Sequence, residues 1–195
     1  MSQQAIQTDR TVASGAASDP ASIAGKSNSS FYWPMLLLPR QKRQAMFAIY
    51  GFCRVIDDIA DEPGDPDEKR RALQSWRNEI RALYSGYAGT GALGRALHAA
   101  IYSYDLPRSE FDALIDGMAM DIPANGRPGG AALAPERETL RLYCRRVAGA
   151  VGLLAIRVFD RADPDTESFA LALGEALQLT NILRDLEEDA DIGRL

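Results

Sequence analysis

The chain holds only two cysteines and one histidine among its 195 residues. A lone histidine and two separated cysteines cannot build an ordinary zinc site, which needs several nitrogen or sulfur ligands close together. Cys53 and Cys144 sit in apolar helical stretches, so they read as buried free thiols of a reducing compartment. Long apolar runs are missing too. A membrane span needs ~18–20 continuous apolar residues, and the best candidate, 147–156, is too short and contains two glycines. Residues 1–30 lack the apolar core of a secretory signal. Rich in Ser, Ala and Gln, residues 1–28 read as a disordered tail ahead of a single domain over 29–195. There is no excess of positive charge: 22 Lys and Arg face 27 Asp and Glu, a net −5 that argues against a nucleic-acid partner. These absences point to a cytoplasmic protein with no transmembrane segment, whose access to a membrane is peripheral, at its inner face.

Strand-like alternation is also absent, and what is present is helical. Apolar spacing predicts helices over 40–61, 67–84, 93–104, 108–121, 135–159 and 166–190. Pro39 suits the first turn of the 40–61 helix, and Pro63-Gly64-Asp65-Pro66 stops it. Asp67 is the expected N-cap of the next helix, and 125–130 reads as a loop. The fold class is all-α.

The chemistry concentrates in Tyr50-Gly51-Phe52-Cys53-Arg54-Val55-Ile56-Asp57-Asp58-Ile59-Ala60-Asp61, three carboxylates and one arginine in an otherwise apolar run. Positions four apart stack on a helix, so Asp57 and Asp61 share a face, while Tyr50 and Arg54 climb the same side. Bare carboxylates in an apolar setting cost several kcal/mol each unless cations meet them. A second set, Asn181, Asp185 and Asp189, repeats the spacing of four, with Gln178 and Arg184 nearby. Two such faces opposed across a cavity offer oxygen ligands alone, which selects magnesium or manganese. Magnesium commonly completes its shell with substrate phosphate, so a diphosphate is the expected ligand.

Other motifs are weaker. Gly89-Thr90-Gly91-Ala92-Leu93-Gly94 matches a dinucleotide fingerprint in letters, but a helix precedes it and no parallel sheet is available, so it reads as a turn and no nicotinamide site is recognised. His98 has no acid or cysteine spaced to join it, and Ser30 has no histidine to activate it. Gly149 and Gly152 with Ala148 and Ala150 make a bare helix face, suited either to a long apolar ligand or to a neighbouring helix backbone.

Ser29-Ser30-Phe31, Leu37-Leu38-Pro39, the stretch from Tyr50 to Asp61, Tyr143-Cys144-Arg145-Arg146-Val147-Ala148-Gly149-Ala150-Val151-Gly152, and Gln178-Leu179-Thr180-Asn181-Ile182-Leu183-Arg184-Asp185 through Asp189 together resemble the squalene/phytoene synthase family. Their wording is most similar to its bacterial hopanoid-pathway members, which make presqualene diphosphate. The resemblance implies a helical isoprenoid-synthase fold and head-to-head (1′-1) condensation of two farnesyl diphosphates. It implies magnesium held by Asp57 and Asp61 on one helix and by Asn181, Asp185 and Asp189 on another. It also implies Arg54, Arg184 and Ser30 on the diphosphate, Tyr50 near the departing group, and Tyr143 steering the cation and proton steps. On the residues alone, Tyr143 reads equally as an aromatic at the edge of the core.

The family pattern continues with further helices where this chain stops, at Gly193-Arg194-Leu195. A truncated chain is therefore expected, carrying both acid faces but inactive alone. The rival products are phytoene, dehydrosqualene and squalene, which would use the same clamp. A non-catalytic helical scaffold is the rival of another class, and it would have no need of paired aspartates on apolar helices.

Overall fold

A computed structural model describes residues 19–22, 32–122 and 136–186. Every regular element among these residues is helical. In chain order they are α1 (Tyr32–Leu36), α2 (Arg40–Asp61), α3 (Pro66–Tyr84), α4 (Gly91–Tyr104), α5 (Arg108–Met120) and α6 (Arg137–Cys144), then a π turn (Arg145–Gly149), α7 (Ala150–Val158) and α8 (Pro164–Arg184).

The α2 helix is the hub, packed against α3, α4, α5 and α7. Ile49, Phe52 and Ile56 are fully buried on its inner face, where Phe52 meets Trp76 edge-on at 5.7 Å and Phe111 at 5.2 Å. Removing one such side chain from water contributes about 1.5–3 kcal/mol, so this aromatic knot fixes how α2, α3 and α5 sit together. The ends of α2 fall where expected. Pro39 lies just ahead of Arg40, and Glu62, held extended (φ −60°, ψ 142°), precedes Pro63. A residue before proline is pushed out of the α region, which ends the helix there.

Three helices begin earlier than the spacing predicts: α4 at Gly91, and α3 and α8 for one shared reason. The cap of α3 is Asp65, not Asp67: its carboxylate accepts the N–H groups of Asp67 and Glu68, both at 3.0 Å. Asp163 caps α8 likewise, accepting the Thr166 N–H at 3.0 Å and its hydroxyl at 2.7 Å. In both, a proline takes the first helical position, where its missing N–H costs nothing. The short α1 was not expected. Its Met35 is buried beside Phe47, and Tyr32 stacks on Phe47 at 5.9 Å. The predicted 135–159 helix is continuous over 137–158 but includes the π turn.

The glycine-rich turn joins two helices. Gly89 has φ +90°, and a Cβ there would lie 2.3 Å from the Gly94 carbonyl carbon. The Glu79 carboxylate accepts the Thr90 N–H at 2.7 Å, closing the N-terminal end of α4 from outside. Most of the expected tail and the 125–130 loop lie outside the described residues, but Pro20 is buried, and residues 19–21 line a groove of about 600 Å³ between α2 and α4. Among the described residues, no helix is long and apolar enough to cross a membrane.

Candidate active site

Away from that larger groove, α2 presents Tyr50, Arg54 and Asp57 to a cleft of about 210 Å³. Tyr143 and Val147 reach it from α6 and the π turn, and Gln178 from α8, while Leu114 and Met118 of α5 add apolar lining. Four residues picked out by spacing and motif thus share one cavity although Tyr143 lies far along the chain.

The α2 acids sit at the rim. The side chains of Arg54, Asp57 and Asp58 are 47%, 37% and 41% exposed. Desolvation is therefore smaller than expected for carboxylates inside an apolar helix, because the helix is buried on one broad face and not all round. Arg54 divides its guanidinium between the acids, reaching Asp57 Oδ2 at 3.1 Å and Asp58 Oδ1 at 2.7 Å. Partial burial still raises the Asp58 carboxyl above the usual range; Arg54 pulls it down, and Glu62 and Asp61 push it up again. Asp61, the last residue of α2, is exposed and outside the cleft lining. Cys53 shows part of its surface to the cleft, yet burial first, and then the Asp57 charge, push its thiol up to about 12.

On the opposite helix, α8 ends at Arg184 and not at 190. Arg184 clasps Asp185 through Nε and Nη2, both at 2.6 Å. Neighbouring side chains do not face each other on a helix, and the pairing falls where the helix breaks at Asp185 (φ −96°, ψ 9°). The same hydrogen bonds hold the Asp185 carboxyl below the usual carboxylate range. Asn181 is half-buried, and its backbone carbonyl accepts the Asp185 N–H at 2.9 Å. Neither residue is among those lining the cleft, which α8 reaches through Gln178, one turn earlier. Ser30 and Asp189 lie outside the described residues.

Among the described residues, no group of three or more acidic, histidine or cysteine side chains gathers closely enough to hold a metal ion. The donor chemistry nevertheless suits a hard cation, since Asp57, Asp61, Asn181 and Asp185 offer oxygen alone. Each acid face also draws an arginine to itself, which marks where positive charge is wanted.

Tyr143 is half-buried, and its hydroxyl donates to Asp121 Oδ2 at 3.1 Å. Spacing gave no warning of Asp121, which sits 22 residues away at the end of α5. The bare face at Gly149 and Gly152 is taken by α8. A Cβ on Gly152 would lie 3.1 Å from the Ala170 carbonyl oxygen, and one on Gly174 would lie 2.9 Å from the Gly149 nitrogen. Of the two uses that face suited, helix packing is the one found. His98 packs its ring on Tyr102 at 4.6 Å.

The squalene/phytoene synthase family model matches residues 24–195. Presqualene diphosphate synthase of Zymomonas mobilis is 48% identical over 89% of this chain and 57% of its own length. That of Rhodopseudomonas palustris is 47% identical over 91% and 61%, and phytoene synthase of Cereibacter sphaeroides is 35% identical over 85% and 47%. Among solved structures, a dehydrosqualene synthase in complex with ligand superposes with TM-score 0.75 at 30% identity, over 99% of this chain and 62% of that one. A squalene synthase from Alicyclobacillus acidocaldarius gives 0.76 at 28%, over 97% and 66%. The chain spans about three-fifths of the length of the presqualene diphosphate synthases it matches. It is a member of the squalene/phytoene synthase family.

Proposed function

We propose that this chain serves the head-to-head condensation of two farnesyl diphosphates to presqualene diphosphate, on the route to squalene and hopanoids. The observation that carries the reading is the cleft in which Tyr50, Arg54 and Asp57 of α2 meet Tyr143 and Gln178 from distant helices. In this reading Asp57 and Asp61 on one side, and Asn181, Asp185 and Asp189 on the other, hold magnesium, or manganese in its place. When bound, the metal supplies positive charge that stabilises the departing diphosphate. Arg54 and Arg184 turn from their carboxylates to the diphosphate oxygens, where Ser30 adds a hydrogen bond. Tyr50 stands by the departing group and Tyr143 steers the proton beside the allylic cation. Ile56, Leu114 and Val147 offer that cation no nucleophile. Cys53 remains a neutral thiol because burial keeps its proton on. The protein works in the cytoplasm and meets the membrane's inner face only peripherally.

A phytoene, dehydrosqualene or squalene product would use the same clamp, and the phytoene synthase relatives keep that reading in play. Squalene formation would in addition consume a nicotinamide reductant. The test is incubation of the complete gene product with magnesium and labelled farnesyl or geranylgeranyl diphosphate, with and without reductant, followed by mass spectrometry. Presqualene diphosphate from the farnesyl substrate without reductant is the expected result. Product from geranylgeranyl diphosphate alone would replace this reading with phytoene synthesis.

A further inference from the structure

The π turn at Arg145–Gly149 interrupts what would otherwise be a regular helix, and its closing bond runs from the Ala150 N–H to the Arg145 carbonyl. Such turns hold one residue more than the α-helix allows and are frequent at functional sites. Here the surplus residue has a geometric consequence. Tyr143, Val147, Ala150, Leu154 and Val158 are spaced four, three, four and four apart. In an uninterrupted helix, at about 100° per residue, Tyr143 would fall within about 20° of Ala150. It would then lie on the same stripe as Ala150, Leu154 and Val158, all of which are fully buried in the core. One added residue turns the segment before it by about 100° relative to the segment after it. Tyr143 is accordingly half-buried and lines the cleft, with its hydroxyl on Asp121.

The turn is gripped on both flanks. From α5, a Cβ on Gly117 would come within 2.6 Å of Val147 Cγ1 and 3.0 Å of Arg146 Cβ, so a larger residue there would press on the side chains of the turn. From α8, an added Cβ on Gly174 would lie 2.9 Å from the Gly149 nitrogen. Glu110, 6% exposed, accepts from the Arg145 guanidinium at 2.8 Å and anchors the start of the turn to α5. Contacts this close leave little room for the segment to relax into a regular helix.

We propose that the π turn is a positioning device that swings Tyr143 off the core stripe and into the cleft, where Asp121 holds its hydroxyl. The role of Tyr143 toward a prenyl diphosphate rests on the function proposed above; its placement does not. Asp121 is a positioning residue in this scheme, acting through Tyr143.

The test places 3-fluorotyrosine at position 143 of the complete chain and tracks its fluorine resonance. Without ligand, Asp121→Asn shifts that resonance. Deleting Ala148 removes the surplus residue and leaves a regular helix that turns about 600° from Tyr143 to Ala150, so Tyr143 keeps its place and the response to Asp121→Asn persists, with helix content retained by circular dichroism. Loss of the response in the deletion variant would overturn the proposal, because the turn would then not be what absorbs the surplus residue and sets the angle of Tyr143. Should the deletion variant not fold, Glu110→Gln, which loosens the anchor of the turn at Arg145, decides: a weakened response to Asp121→Asn supports the proposal, and an unchanged one overturns it. Farnesyl thiodiphosphate with magnesium is added last. A resonance that responds to Asp121→Asn but never to this ligand would count against the prenyl diphosphate reading and leave the positioning role standing.

Discussion

Arg54 reaches Asp57 at 3.1 Å across one helical turn, so the cation proposed for the diphosphate now stands as the counter-ion of an acid proposed for the metal. Arg184 does the same for Asp185 at the far helix. An arginine that neutralises a carboxylate until a divalent cation arrives lets both acid faces exist at low cost before any ligand binds. It is also a competitor for that cation.

That double role predicts opposite effects from one substitution. Arg54→Gln weakens binding of a farnesyl diphosphate analogue in the presence of magnesium by about 10- to 100-fold, the worth of lost hydrogen bonds to a charged group. It leaves the affinity for magnesium alone unchanged or higher, because the competing guanidinium is gone. Calorimetry with each ligand separately checks both signs, and weaker binding of magnesium alone would contradict the scheme.

Cys53 offers a test of the cleft's electrostatics. A thiol pushed up to about 12 leaves roughly one molecule in ten thousand ionised at pH 8. Iodoacetamide therefore modifies Cys53 in the native chain at least about 100-fold more slowly than in the urea-unfolded chain, as read by peptide mass spectrometry. Asp57→Asn removes the second cause of the shift and speeds the reaction.

The Asp163 cap predicts a pH-dependent contribution to stability. Its carboxyl lies below the usual range because it accepts hydrogen bonds from the Thr166 hydroxyl and N–H. A lowered folded-state pKa means that the contribution is complete above the unfolded-state value and is lost as pH falls through the folded one. Asp163→Ala thus lowers Tm at pH 7, and the difference from the parent chain closes as acid protonates the cap. Asp163→Asn, which can still accept from Thr166, loses less.

How far the sequence foretold these arrangements depends on range. Both ends of α2 were legible because proline acts on its immediate neighbours, at Pro39 and Pro63. The starts of α3 and α8 were misplaced because Asp65 and Asp163 cap from ahead of a proline, and Pro66 and Pro164 read as breaks when they are the first helical residues. The π turn was invisible because the spacing from Tyr143 to Val158 is that of a good α-helix, while the close approaches of Gly117 and Gly174 to the turn come from distant helices. The four-residue rhythm picked out Asp57 and Asp61, of which Asp57 lines the cleft, but periodicity on one helix cannot say how deeply it is buried. The Arg54 ion pairs and the half-exposed rim came from tertiary structure. The Tyr143 to Asp121 bond joins residues with no shared rhythm, so no local pattern announces it.

The central claim is that the α2 and α8 acids act together on one metal-bound diphosphate. Calorimetric titration of the complete gene product with farnesyl thiodiphosphate, with and without magnesium, tests it most directly when repeated in Asp57→Asn and Asp185→Asn. The account predicts binding that requires magnesium in the parent chain and is lost in each variant alone. Magnesium-dependent binding that persists undiminished in both variants would contradict it.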